Sequence, residues 1–198
     1  MRFVVVACVL AGCHPYIAGG VTPAWKMKGA LASAVSEPVA RTTAATTSTP
    51  TSASTSAPGN AYEVEVGSSY YDFFLGVNVQ AHNLTAATLP MFAGGSMADG
   101  TPHYLNAIAT LDIAWAWLHW KWVSSYIHAG PARAVLYDRS GGANAWGFGY
   151  RYGAGVAASW SRASIYADLY KTGLVFGDGP ATGYSSATGL TVGIAFHR

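Results

Sequence analysis

The chain has 198 residues, of which only 10% are charged, and a formal net charge of +2 at pH 7. An ordinary soluble domain carries roughly 25% charged residues, so this sequence lacks the side chains needed to cover a globular surface in water. No cluster of Lys and Arg occurs, which leaves nucleic acid without compositional support as a partner, while 23 glycines and 13% aromatic residues favour strands over helices.

At the N-terminus, Arg2 precedes an apolar run from Phe3 to Leu10. The run is too short to cross a bilayer as a helix, which takes about 20 residues, and it fits the hydrophobic region of a secretory signal. It ends in Leu10-Ala11-Gly12-Cys13. These residues resemble the lipobox of bacterial lipoproteins, and the resemblance implies cleavage before Cys13, acylation of its thiol and a lipid-anchored mature chain. An ordinary signal peptide followed by a chance cysteine is the alternative. Cys8 falls in the removed segment, so an acylated Cys13 leaves no thiol for a disulfide, a metal or a nucleophile. His14 stands where, by resemblance to enteric lipoproteins, Asp favours retention in the inner membrane, and the outer membrane is then the expected destination.

Residues 15 to 29 mix glycine and proline with Trp25 and two lysines and show no single pattern. From Arg41 to Asn60 nearly every residue is Thr, Ser, Ala, Pro or Gly. Such a composition buries too little apolar surface to offset its ordering entropy, and predicts a disordered tether. The expected organisation is therefore a signal peptide over 1–12, a lipidated N-terminus and tether over 13–60, and a strand domain over 61–198.

Within that domain, Tyr71, Phe73, Leu75, Val77, Val79 and Ala81 alternate with Asp72, Phe74, Gly76, Asn78, Gln80 and His82. Residues 83 to 103 read as a loop. Leu105 to Trp117 then alternates again, with Trp115 and Trp117 on the apolar face and Asp112 on the other. Residues 122 to 138 form a further strand interrupted by Gly130-Pro131, where a bulge or a division in two is expected. The clearest stretch is Trp146 to Trp160. One face carries Trp146, Phe148, Tyr150, Tyr152, Val156 and Trp160, and the other Gly147, Gly149, Arg151, Gly153, Gly155 and Ser159. Two more strands follow, one placing Arg162, Tyr166 and Asp168 opposite Ile165 and Leu169, and one ending in Gly189-Leu-Thr-Val192-Gly-Ile194-Ala-Phe196.

Apolar outer faces bounded by aromatic rings, small inner faces, and short connections alternating with long ones resemble the small outer-membrane β-barrels. The last strand also resembles their C-terminal assembly signal, although His197-Arg198 continues past the aromatic residue. The resemblance implies an all-β fold, an antiparallel up-and-down meander closing as a membrane barrel of about eight strands, in the bacterial outer membrane, with membrane lipids and the barrel-assembly machinery as partners and a surface or periplasmic partner left open. Six strands are evident. Tyr62, Val64 and Val66 offer a seventh, and 83–103 or the stretch before the tether offers an eighth; otherwise the barrel closes between subunits or is not a membrane barrel.

The phase places Asp72, Asp112 and Asp168 on the side of Arg151 and Arg162, which predicts a mixed-charge network filling the lumen. Trp115, Trp117, Trp146 and Trp160 are expected as anchors at the membrane interfaces. The histidines lack metal-ligand spacing, no nucleotide or nucleophile motif occurs, and neither a metal nor another cofactor is expected. The expected role is structural or in surface interaction, without catalysis. Two other readings remain open at this point. One is a soluble periplasmic β-sandwich or lipocalin-like lipoprotein binding a hydrophobic ligand. The other is a lipid-modifying barrel enzyme pairing Ser124 or Ser125 with His119 or His128.

Overall fold

Eight long antiparallel strands form one sheet whose first and last members pair with each other, which closes it into a barrel. The computed structural model describes residues 14–30, 54–55, 61–84, 104–138, 144–177 and 182–198. The strands are β1 (His14–Gly29), β2 (Ser54–Thr55), β3 (Ala61–Tyr70), β4 (Phe73–Leu84), β5 (Tyr104–Trp120), β6 (Val123–Asp138), β7 (Ala145–Trp160), β8 (Ala163–Phe176) and β9 (Gly183–His197). The two-residue β2 lies outside the closed sheet and adds only to Met27 and Lys28 at the end of β1. Around the barrel the order is β1-β3-β4-β5-β6-β7-β8-β9, with β9 returning to β1.

Three connections are two-residue turns, Tyr71–Asp72, Lys121–Trp122 and Ser161–Arg162. The first residue of each takes a left-handed φ, between 52° and 54°. All three lie at one rim, together with both ends of the described chain, where Arg198 N–H donates to Pro15 O at 3.2 Å. We call this the turn rim and the opposite one the loop rim, because all the longer connections meet there.

The expected domain start at residue 61 is corrected by β1. Residues 14–29, assigned by composition to the N-terminal segment and tether, supply the missing strand, pairing with β3 from His14 to Thr22 and with β9 from Tyr16 to Gly29. The long Ser/Thr/Ala/Pro-rich segment therefore connects two barrel strands at the loop rim and does not precede the barrel. Its structure lies mostly outside the described residues, as do the signal peptide and Cys13.

The expectation of a break at Gly130-Pro131 is also corrected. β6 runs unbroken over 16 residues. On its β7 side the register continues through Gly130↔Arg151 and Pro131↔Tyr150. On its β5 side, pairing lapses only opposite Leu111 and Asp112. Proline withholds one ladder donor, and a glycine beside it lets the strands approach closely, since a Cβ on Gly130 would lie 1.8 Å from Leu111 O. The register shift in this pair lies elsewhere, between Ala116 and Leu118.

The alternating faces fall as the period-two reading expects. Val64, Val66, Leu75, Ile113, Val156 and Ile194 are each about half exposed on the outer wall, while Gln80, Asp112, Arg151, Asp168 and Thr191 are buried inside. A sandwich or lipocalin-like core needs the apolar faces to meet one another. Here they are turned away from the protein, and that reading is set aside.

Candidate functional site

The barrel interior changes character along its axis. Beneath the loop rim, Trp25, Met27, Ile108, Ala132, Ala134, Leu136, Ala145, Leu174 and Phe176 form a buried apolar cluster. β1, β5, β6, β7 and β8 supply its inward positions, and the buried His82 ring of β4 packs edge-on against Trp25, 5.0 Å between centres.

Below the cluster lies a charged network centred on Arg151, which is 2% exposed. Its Nη2 donates to Glu63 Oε2 at 3.2 Å and to Asp168 Oδ2 at 3.3 Å, and Nη1 faces Asp112 Oδ2 at 3.7 Å. The guanidinium also lies over the Tyr170 ring, 4.7 Å from its centre. His128 sits between two carboxylates, with Nδ1 2.9 Å from Asp112 Oδ2 and Nε2 3.1 Å from Asp168 Oδ1. Glu63 further accepts from Gln80 Nε2 at 2.8 Å and from Tyr166 O–H at 2.9 Å. Glu65 accepts from Tyr16 O–H and, at 3.3 Å, from Asn78 Nδ2. Each of these buried carboxylates thus accepts at least one hydrogen bond, the condition under which charge is tolerated away from water, while Asp168 Oδ1, His128 Nε2 and Arg151 Nη1 meet only as ion-pair neighbours.

Of the five residues expected in this network, Asp112, Arg151 and Asp168 are brought together. Asp72 and Arg162 are not. Both lie in turns at the rim and are exposed, with Asp72 paired to His119 Nε2 at 3.0 Å. Strand phase does not extend to them, because the left-handed residues Tyr71 and Ser161 end each strand first.

Four members escape the sequence reading: Glu63, Glu65, His128 and Tyr16. A signal for the glutamates exists, because they alternate with Tyr62, Val64 and Val66 in the same way that Asp112 alternates with Leu111 and Ile113. His128 enters that reading only beside a serine. In the structure both its nitrogens face aspartates; His119 stands opposite Ser124 in the β5–β6 ladder, but its Nε2 faces Asp72 at 3.0 Å. Among the described residues no group of His, Cys, Asp or Glu is arranged to hold a metal ion.

The inner glycines make room for these side chains. A Cβ on Gly153 would stand 2.3 Å from His128 Nε2, and one on Gly193 would stand 2.5 Å from the Tyr166 hydroxyl. Large inward residues on one strand are thus seated over glycines on the next, which explains the small face read in Trp146–Trp160.

Toward the turn rim the network floors a cavity of about 450 Å³. Its walls include Tyr16, Phe74, Ala114, Tyr126, Ser159 and Ala195, and its mouth has His14, Lys121, His197 and Arg198. The expected anchor tryptophans divide between the two rims. Trp115, Trp117 and Trp160 are exposed near the turns, with Trp115 stacked on Phe73 at 6.3 Å, and Trp146 is exposed near the loops beneath the Arg133 guanidinium, 5.0 Å away.

No family profile and no curated protein sequence matches this chain. Solved structures do. Neisserial surface protein A (NspA) superposes with a TM-score of 0.59 at 12% identity, covering 92% of this chain and 96% of its own. A major outer membrane protein from Thermus thermophilus gives 0.53 at 11%, covering 94% and 99%. Ail, the attachment invasion locus protein of Yersinia pestis, solved in complex with the heparin analogue sucrose octasulfate, gives 0.52 at 10%, covering 94% and 99%. At such identities the likeness is one of fold: a small, closed, eight-stranded antiparallel barrel.

Proposed function

We propose that the chain is a bacterial outer-membrane β-barrel protein with a structural or surface-interaction role and no catalytic activity, its loop rim facing outward and its turn rim facing the periplasm. The observation that supports this most directly is the outer wall. Exposed Val, Leu and Ile side chains run between two levels of exposed aromatic residues, the division that a hydrocarbon layer with two water interfaces requires. The fold shared with NspA, Ail and the Thermus protein supports the same location. The apolar cluster closes the lumen below the loop rim, so the protein does not serve as an open pore.

Acylation of Cys13, carried by the lipobox likeness, belongs to this reading. β1 starts at the next residue, so a lipid there anchors the turn rim directly to the periplasmic leaflet, with no intervening tether. Recognition of β9 by the barrel-assembly machinery is the matching expectation for insertion.

Purified full-length protein tests the location. It is expected to require detergent or lipid and to migrate faster on a detergent gel when unboiled, as a closed barrel does. A monodisperse monomer in plain buffer refutes the membrane reading. Labelling with palmitate that survives Cys13→Ala refutes the anchor alone.

A further inference from the structure

Formal charge is sorted across the barrel wall. Among the strand residues whose side chains are described, the acidic Glu63, Glu65, Asp112 and Asp168 point inward with Arg151, whereas those outside are Lys26, Lys28, Arg133 and Lys171. Formal charge on the described outer wall is thus wholly cationic. It is also polarised, because all four positions lie within five residues of the loop-rim end of their strands. The exposed Lys and Arg of the opposite rim sit in the turns (Lys121, Arg162) or past the end of β9 (Arg198) and not on the wall, and Lys121 and Arg198 line the cavity mouth.

The register places these residues together. Lys26 pairs with Thr188, and Thr188 pairs with Lys171, so two lysines flank one threonine on neighbouring strands. At about 4.8 Å per strand their backbones stand roughly 10 Å apart. Tyr152 continues the row on β7. A charged side chain near the midplane of a bilayer costs about 2–4 kcal/mol, a cost that falls to about 0–1 near the interface. Lysine stems long enough to reach that interface lie along the apolar wall and carry the ammonium to headgroup level. Among the described residues no acid stands beside them on the wall.

We infer that Lys26, Thr188 and Lys171 form a lipid-binding site at the loop rim, taking a headgroup that carries two phosphates and bridging them with the two ammonium groups. Lys28 and Arg133 extend the cationic surface on either side. This inference rests on the membrane reading above. The site selects the leaflet as well as the lipid, since an anionic headgroup there holds the loop rim at its own surface of the bilayer.

The test is native mass spectrometry of the full-length protein in a non-ionic detergent, with an acylated disaccharide carrying two phosphates or the same glycolipid with its phosphates removed. The phosphorylated form is expected to be retained about tenfold better, equivalent to ~1.4 kcal/mol. Lys26→Gln with Lys171→Gln should abolish that preference. Lys26→Arg with Lys171→Arg, and Lys121→Gln at the other rim, should keep it. Equal retention of the two glycolipids, or a preference that survives the double glutamine variant, overturns the inference while leaving the membrane reading intact. Displacement by millimolar inorganic phosphate overturns the lipid assignment in favour of a free-anion site. A chain that is monomeric without detergent and retains neither lipid defeats both readings together.

Discussion

The two halves of the lumen are filled by opposite means. Near the loop rim, Leu136, Ala134, Leu174 and Phe176 pack as an ordinary apolar core and leave almost nothing exposed. Toward the turn rim, Arg151 and His128 hold carboxylates above a cavity of about 450 Å³. An apolar plug depends on shape alone, so it tolerates no change in volume but needs no particular partner. A charged network tolerates empty space beside it, yet loses heavily when one member is removed. The stability of this barrel therefore rests on packing at one end and on pairing at the other.

Arg151→Met attacks the pairing half and is expected to have the largest effect. It leaves Glu63, Asp112 and Asp168 buried without their shared cation, at a cost of about 3–5 kcal/mol. Urea unfolding in detergent, followed by the loss of fast gel migration, reads the change, and adding Glu63→Gln with Asp168→Asn should recover part of it. A midpoint equal to that of the native protein would remove the network from the account. Next in size is Ala134→Leu in the packed half, where overfilling costs about 1–3 kcal/mol. The same enlargement at Ala114, which borders the cavity, should fall within about 0.5 kcal/mol of neutral. If the Ala114 and Ala134 variants lose equal stability in that assay, the two halves do not differ as described.

The same division explains which parts of the fold are legible in the sequence. β7 is readable throughout because its inner face is glycine, arginine and serine while its outer face is aromatic and aliphatic. β1 is not, for two reasons. A register shift between Val21 and Ala24 breaks the alternation. Beyond it the usual sense is reversed, since Trp25 and Met27 face the apolar plug while Lys26 and Lys28 face outward at the rim. A rule of apolar outside and polar inside misreads any strand that ends beside a plug of this kind. Asp112, Arg151 and Asp168 lie in mid-strand, where phase alone decides direction, and their meeting is foreseeable. Asp72 and Arg162 lie where two-residue turns take over, and strand phase carries no information there. His128 meets Asp112 across the neighbouring β5–β6 pair but reaches Asp168 from β6 to β8, strands that are not consecutive in sequence, so no local pattern announces the double pairing.

Closure by β1 against β9 ties the first described segment of the chain to the last. Twelve positions of β1 pair with residues between Ser185 and His197. Until those residues exist, the growing chain presents an open strand at each side, a template on which other chains can add. Completion is consequently a single late event with a large loop-closure cost, and a protein cut short before β9 is an aggregation hazard and not a smaller barrel.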